Sequence, residues 1–206
     1  MRRTMLLLTV MGLALVLASG IALAATFTGT KRADTINGSD NRDFIYGLNG
    51  DDTLNGLVGD DEISGGAGID TINGGKGSDE LSGGSGDDRI NGGNATSGVD
   101  TDDVMYGGNG NDTLTFTRDG AEAYGGPGAD TIDARNPDSD DDIDEVYGGS
   151  GDDTIFANDG EPDYIDCGEF ASPSSDLPDE DTVTIDSFID EVTANCETAT
   201  PAEPEA

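Results

Sequence analysis

The sequence predicts an all-β chain wound as a solenoid of nonapeptide units, and three observations predict it. Written in nines from Gly47, residues 47–93 read GLNGDDTLN, GLVGDDEIS, GGAGIDTIN, GGKGSDELS and GGSGDDRIN, and then GG begins again. Glycine recurs at positions one and four. An aliphatic residue recurs at position eight, as Leu54, Ile63, Ile72, Leu81 and Ile90. Asp recurs at position six, as Asp52, Asp61, Asp70, Asp79 and Asp88, and the register extends backwards to Asp43 with Ile45 and to Asp34 with Ile36. A disordered acidic linker shares this composition, but a linker needs no phase.

Each element follows from its place in the nine. Position eight lies between two polar positions, so a three-residue strand points it inward and its neighbours outward. The six residues before it must turn the chain back. Glycines supply the positive φ angles and the close backbone approach of so tight a turn. Asp at position six then presents a carboxylate at the turn.

The pattern GGxGxDxUx closely resembles the RTX, or hemolysin-type, calcium-binding repeat. The resemblance implies a parallel β-roll in which two nonapeptides make one coil and calcium ions sit between successive turns, held by the position-six Asp and by turn carbonyls. A residue and the one 18 positions later then lie on adjacent strands, about 4.8 Å apart. Asp34, Asp52, Asp70 and Asp88 would stack on one edge, and Asp43, Asp61 and Asp79 on the other. Two unit charges at that spacing repel by about 0.9 kcal/mol in water and about 3.5 at an effective dielectric of about 20. A hard divalent cation reverses the sign, and calcium takes six to eight oxygens from carboxylates and carbonyls. Continuing the register adds Asp103, Asp112, Asp130, Asp144 and Asp153 as candidate ligands.

Composition narrows the function classes. The chain has 206 residues, 44 acidic and 9 basic, and a formal net charge of −35. That surface repels nucleic acid and anionic membranes and attracts cations. His is absent, which removes imidazole catalysis and His-based zinc sites. Trp is absent and aromatics are 5 %, too few for a conventional globular core.

Residues 1–24 read as a secretory signal peptide, with Arg2 and Arg3 before an apolar run and an A-x-A site at Ala22-Leu23-Ala24. The β-roll is expected over 25–156, with 25–33 as a lead-in. The turn at 38–41 carries Ser39 and Asn41 where the repeat has glycine, so an ion is less expected there. Insertions interrupt the register at 92–106 and 134–147. Repeat 116–124 keeps its length but has Ala121 at position six and Ala123 at position eight, so no strong site is expected in it.

Residues 157–197 change character, with degenerate Asp-x-Ile and Asp-x-Val steps at Asp163, Asp181 and Asp190 and cysteines at Cys167 and Cys196. Two cysteines in an exported chain pair as a rule, with two free thiols as the alternative. The segment resembles the closing cap of secreted RTX-like proteins, whose last turns carry a cysteine pair. Residues 198–206 are expected to be disordered.

No nucleophile motif or phosphate loop occurs, and the repeats leave no room for a catalytic domain. Carboxylates held as calcium ligands have lowered pKa values, unsuited to proton transfer. Positions seven and nine place Thr35, Thr53 and Thr71 with Asn37, Asn55, Asn73 and Asn91 in an outward ladder. Such hydroxyl arrays resemble ice-binding faces, while strand propensity and stacked Asn side chains explain them more simply. The expectation is a secreted, extracellular, non-enzymatic protein with several Ca2+ ions. Its role is structural, at a surface, or in calcium sequestration, with an unknown surface or protein partner. An accessory adhesin, an ice-binding module, or a detached RTX module of a secreted enzyme system are the alternatives.

Overall fold

The computed structural model describes residues 24–93, 103–116, 121–135, 143–160, 162–168, 180–185, 190–193, 196 and 198–201. The predicted signal segment lies outside them except for Ala24. Among these residues eighteen strands alternate between two parallel sheets. Sheet one takes the odd strands: β1 (Ala25–Thr28), β3 (Asp43–Asn49), β5 (Glu62–Ala67), β7 (Glu80–Ser85), β9 (Val104–Asn109), β11 (Glu122–Pro127), β13 (Glu145–Ser150), β15 (Tyr164–Gly168) and β17 (Glu191–Val192). Sheet two takes the even ones: β2 (Thr35–Asn37), β4 (Thr53–Val58), β6 (Thr71–Lys76), β8 (Arg89–Gly93), β10 (Thr113–Thr115), β12 (Thr131–Asp133), β14 (Thr154–Ala157), β16 (Thr182–Ile185) and β18 (Thr198–Pro201). This is the predicted parallel β-roll, with two nonapeptides to each coil.

Alternation along each strand builds the core. Strand β6 buries Ile72 between half-buried Thr71 and Asn73. Position-eight side chains from both sheets meet inside, among them Ile45, Leu54, Ile63, Ile72, Leu81 and Ile90. Burying such a side chain contributes about 1.5–3 kcal/mol, so each coil brings two such contributions to its neighbours. Phe116 and Ala121, in the repeat without an Asp at position six, are buried in the same core.

Register survives the insertions. Partners lie 18 residues apart in the clean block, as in Leu54 with Ile72, but Leu81 pairs with Met105 and Ala123 with Val146. Residues 94–102 and 136–142, which carry the extra length, lie outside the described ones; lengthening a loop costs little. Both sheets run on through the degenerate segment, where Thr154 pairs with Thr182 and Ile165 with Val192.

The structure adds to the sequence reading at the start of the roll and differs from it at the tail. The lead-in already contains a strand: β1 pairs with β3 and packs Phe27 against the core. The tail was expected without order, yet Thr198–Pro201 pairs with β16 as β18. A sheet edge presents a row of backbone groups, and a following segment that can extend satisfies it. Residues 202–206 lie outside the described ones.

The outer faces differ. On sheet two the threonine column continues beyond the residues noted in the sequence, through Thr113, Thr131, Thr154 and Thr182, with Arg89 interrupting it. Asn55 Nδ2 donates to Asn37 Oδ1 and Asn73 Nδ2 to Asn55 Oδ1, each at 2.9 Å. On sheet one, Tyr106, Tyr124 and Tyr147 stack with ring centroids 5.1 and 4.7 Å apart. The hydroxyl of Tyr147 donates to Glu145, which pushes its pKa up to about 12.

One local conflict yields a prediction. Leu48 and Leu57 hold φ of +85°, where their register partners are Gly66 and Gly75. Such backbone strain in a non-glycine residue costs about 1–3 kcal/mol, against about 0.5–1 for the entropy of a glycine. Leu48→Gly and Leu57→Gly are each expected to stabilise the calcium-saturated protein by about 1 kcal/mol in denaturant titrations. A loss of stability would show that the exposed leucines make contacts worth more than the strain.

Candidate metal centre

The turns carry the position-six aspartates in two columns, one on each edge of the roll. Column one runs Asp34, Asp52, Asp70, Asp88, Asp112, Asp130, Asp153 and Asp181. Each N–H donates to Oδ1 of the Asp in the next coil: Asp34 to Asp52 at 2.7 Å, Asp52 to Asp70 at 2.8 Å, Asp70 to Asp88 at 2.7 Å and Asp88 to Asp112 at 2.8 Å. The same bond joins Asp112 to Asp130, Asp130 to Asp153 and Asp153 to Asp181. Column two runs Asp43, Asp61, Asp79 and Asp103, with Asp79 donating to Asp103 at 2.8 Å. Ala121 then takes the place of Asp, but its N–H still donates to Asp144 Oδ1, and Asp144 and Asp163 carry the column on to Asp190.

One oxygen of each carboxylate therefore has a structural task that the sequence reading missed: it pins the coil before it. The other oxygen is different. Oδ2 of Asp52, Asp61, Asp70, Asp79, Asp88, Asp112, Asp130 and Asp163 is buried with no hydrogen-bond partner. Except at Asp163, whose turn has Asn158 at position one, it faces the position-one glycine of its own turn. A Cβ built on Gly47 would sit 2.5 Å from Asp52 Oδ2 and 2.6 Å from the carbonyl oxygen of Gly65. The same pairing of carboxylate and carbonyl recurs at Gly56, Gly65, Gly74 and Gly83. Glycine is required here for space. Each turn thus brings a carboxylate oxygen of one coil and a carbonyl oxygen of the next to one spot.

The first turns are built otherwise. Asp34 Oδ2 accepts from the N–H and hydroxyl of Thr30, and Asp43 Oδ2 from the N–H and hydroxyl of Ser39. At Asp43 the residue that replaces glycine caps the carboxylate.

Electrostatics follow burial. Desolvation is the largest influence on the inner carboxylates, ahead of the repulsion between coils that the sequence emphasised. It pushes Asp61 and Asp130 up to about 6, Asp88 to about 7, and Asp79 and Asp163 to about 8. The bond from the preceding coil opposes this in each case. Asp52, Asp70 and Asp112 shift upward for the same reason. The lowered values expected for ion ligands are thus reversed when only the protein's own groups act on them.

A hard cation fits this arrangement. The donors are all oxygens, several are ionisable and buried, and one oxygen of each lacks a partner, which is costly unless a positive charge meets it. Among the described residues no three His, Cys, Asp or Glu side chains converge, so an ion in these turns would draw on backbone carbonyls beside the carboxylates. Calcium accepts that mixture.

The sequence profile of the RTX calcium-binding nonapeptide repeat matches residues 28–63, 64–95, 97–115, 122–136 and 138–161, more than half of the chain. The chain belongs to this family. No curated protein matches it. The RTX repeats end before Asp163, Asp181 and Asp190, which the structure nevertheless places on the columns. Their signal in the sequence was the Asp-x-Ile and Asp-x-Val step alone, without the glycines. At the end of the roll Cys167 and Cys196 are joined, with Cα atoms 5.2 Å apart.

Proposed function

We propose that this is a secreted, non-catalytic RTX protein that binds several calcium ions in its turns and depends on them for its folded shape. The observation that carries the reading is the row of buried Oδ2 atoms, each set against a carbonyl of the next coil. Asp52, Asp61, Asp70, Asp79, Asp88, Asp112 and Asp130 would hold the ions, with Asp103, Asp144, Asp153 and Asp163 continuing the columns. Calcium would supply a positive charge beside those carboxylates. The chain supplies the spacing, because the bond from each N–H to the next Oδ1 keeps successive turns in register.

Export is supported by the signal-like segment 1–24 and by the disulfide, which suits an oxidising compartment. The biological role that follows is a calcium-stiffened extracellular surface module or a calcium store. A second reading, an accessory adhesin or ice-binding module, is favoured by the threonine column of sheet two. Arg89 breaks that column, whereas carboxylate column one runs unbroken from Asp34 to Asp181.

Calorimetry of calcium into chelator-treated protein tests the proposal. Several ions should bind with dissociation constants on the order of 10⁻⁴–10⁻³ M, as in other extracellular modules, and magnesium should compete poorly because it demands a tighter octahedron. Equal heats for the two metals, or none for calcium, would overturn it.

A further inference from the structure

A second set of carboxylates lies at position five, one residue before each ligand candidate, and it reaches the opposite way. Whereas position-six Oδ1 accepts from the coil before it, Asp51 Oδ1 accepts from the N–H of Ile69 in the coil after it, at 2.9 Å. Asp60 accepts from Ser78 at 3.2 Å and Asp87 from Asn111 at 2.9 Å. Each of these side chains is exposed. Each is held across one gap, beside the position-six Asp of its own turn and next in sequence to that of the following turn.

Only some gaps have such a carboxylate. The gap from turn 47–52 to turn 65–70 has Asp51. The next gap on that edge has Ile69 at position five and no charge. The one after it has Asp87, and the fourth has Asn111, whose Oδ1 accepts from Ala129 at 2.9 Å as a neutral copy of the same bond. At each of these gaps a buried, unpartnered Oδ2 is present, on Asp52, Asp70, Asp88 and Asp112. The gaps therefore share their inner ligand candidates and differ in the outer charge.

We propose that the position-five carboxylates Asp51, Asp60 and Asp87, with Asp152, which accepts in the same way from the N–H of Glu180 at 2.9 Å, divide the turn gaps into two classes of calcium site, tighter ones that fill first and weaker ones that fill later. The inference rests on the calcium reading and adds an order of loading to it. Affinity in oxygen-ligand calcium sites is set by the count of charged groups and by rigidity, and a carboxylate tied to the next coil supplies both. Ions entering the charged gaps first would fix alternate coils, leaving the neutral gaps to close as calcium rises.

Asp51→Asn and Asn111→Asp test this by calorimetry and by circular dichroism at saturating calcium. Both substitutions keep the Oδ1 acceptor, so both should leave the fold and the number of ions unchanged. Wild type should titrate in two phases. Asp51→Asn should move one site from the tighter to the weaker phase, by about three- to tenfold in dissociation constant, and Asn111→Asp should move one the other way. Glu62→Gln, on the outer face of sheet one, makes the same charge change away from the gaps and should alter neither phase. Calcium binding in a single phase, or an Asp51→Asn shift no larger than that of Glu62→Gln, would overturn the two classes while leaving calcium binding intact. No calcium binding by wild type would overturn the function proposed above as well.

Discussion

Chelated protein at neutral pH is expected to lose most of its β-structure, and millimolar calcium to restore it. The chain carries a net charge of −35 with a core one side chain deep. Its inner carboxylates are buried with one oxygen unmatched. Each such charge costs several kcal/mol to desolvate without a partner, while a whole domain is stable by only about 5–15 kcal/mol. Binding free energy in such a system is folding free energy.

Acid is expected to replace calcium in part. Asp61, Asp88 and Asp79 have folded pKa values of about 6, 7 and 8, all above the unfolded carboxylate value of about 3.9. A group raised on folding contributes stability that is complete below its unfolded pKa and lost as pH rises through its folded one. In chelator, circular dichroism should therefore show β-structure growing as pH falls from about 8 to about 5. In calcium the same range should show little change. β-structure that is equal in chelator and in calcium at pH 8 would contradict the dependence on ions.

The second large effect is expected at Asp70, whose two oxygens do different things. Asp70→Ala removes the acceptor for the Asp52 N–H along with the unmatched Oδ2. An unsatisfied buried donor costs about 1–3 kcal/mol, to which the loss of one or two ions on column one is added. Asp70→Asn keeps an acceptor for Asp52 and removes only the charge. In calcium, stability in denaturant should rank wild type above Asp70→Asn, and Asp70→Asn above Asp70→Ala. In chelator Asp70→Asn should match or exceed wild type, since it no longer buries a carboxylate. Equal calcium stoichiometry in all three would mean that column one does not hold the ions.

Much of this protein is legible in its sequence because its information is local and periodic. Position eight of each nine declares an inward side chain, so the core from Ile36 to Ile90 could be written down residue by residue. The glycines at positions one and four and the Asp at position six declare the turn. The two cysteines were enough to raise a bridge, although free thiols remained the alternative until Cys167 and Cys196 were seen joined. Such features need no knowledge of what lies across the coil.

What the tertiary structure decided is how one coil meets the next. The task of Oδ1 of Asp70 is to accept from Asp52, 18 residues away, and that of Asp51 is to accept from Ile69 in the opposite direction. Neither is visible within a nine. Strands β1 and β18 have weak patterns of their own and form because the edges of β3 and β16 accept them. The tyrosine stack arises only because Tyr106, Tyr124 and Tyr147 fall in one register across an insertion. The sequence determined the shape of each turn and which residues face inward. Coil stacking decided which oxygen of each carboxylate the fold uses and which it leaves without a hydrogen-bond partner, because that choice depends on a backbone N–H that a distant repeat provides.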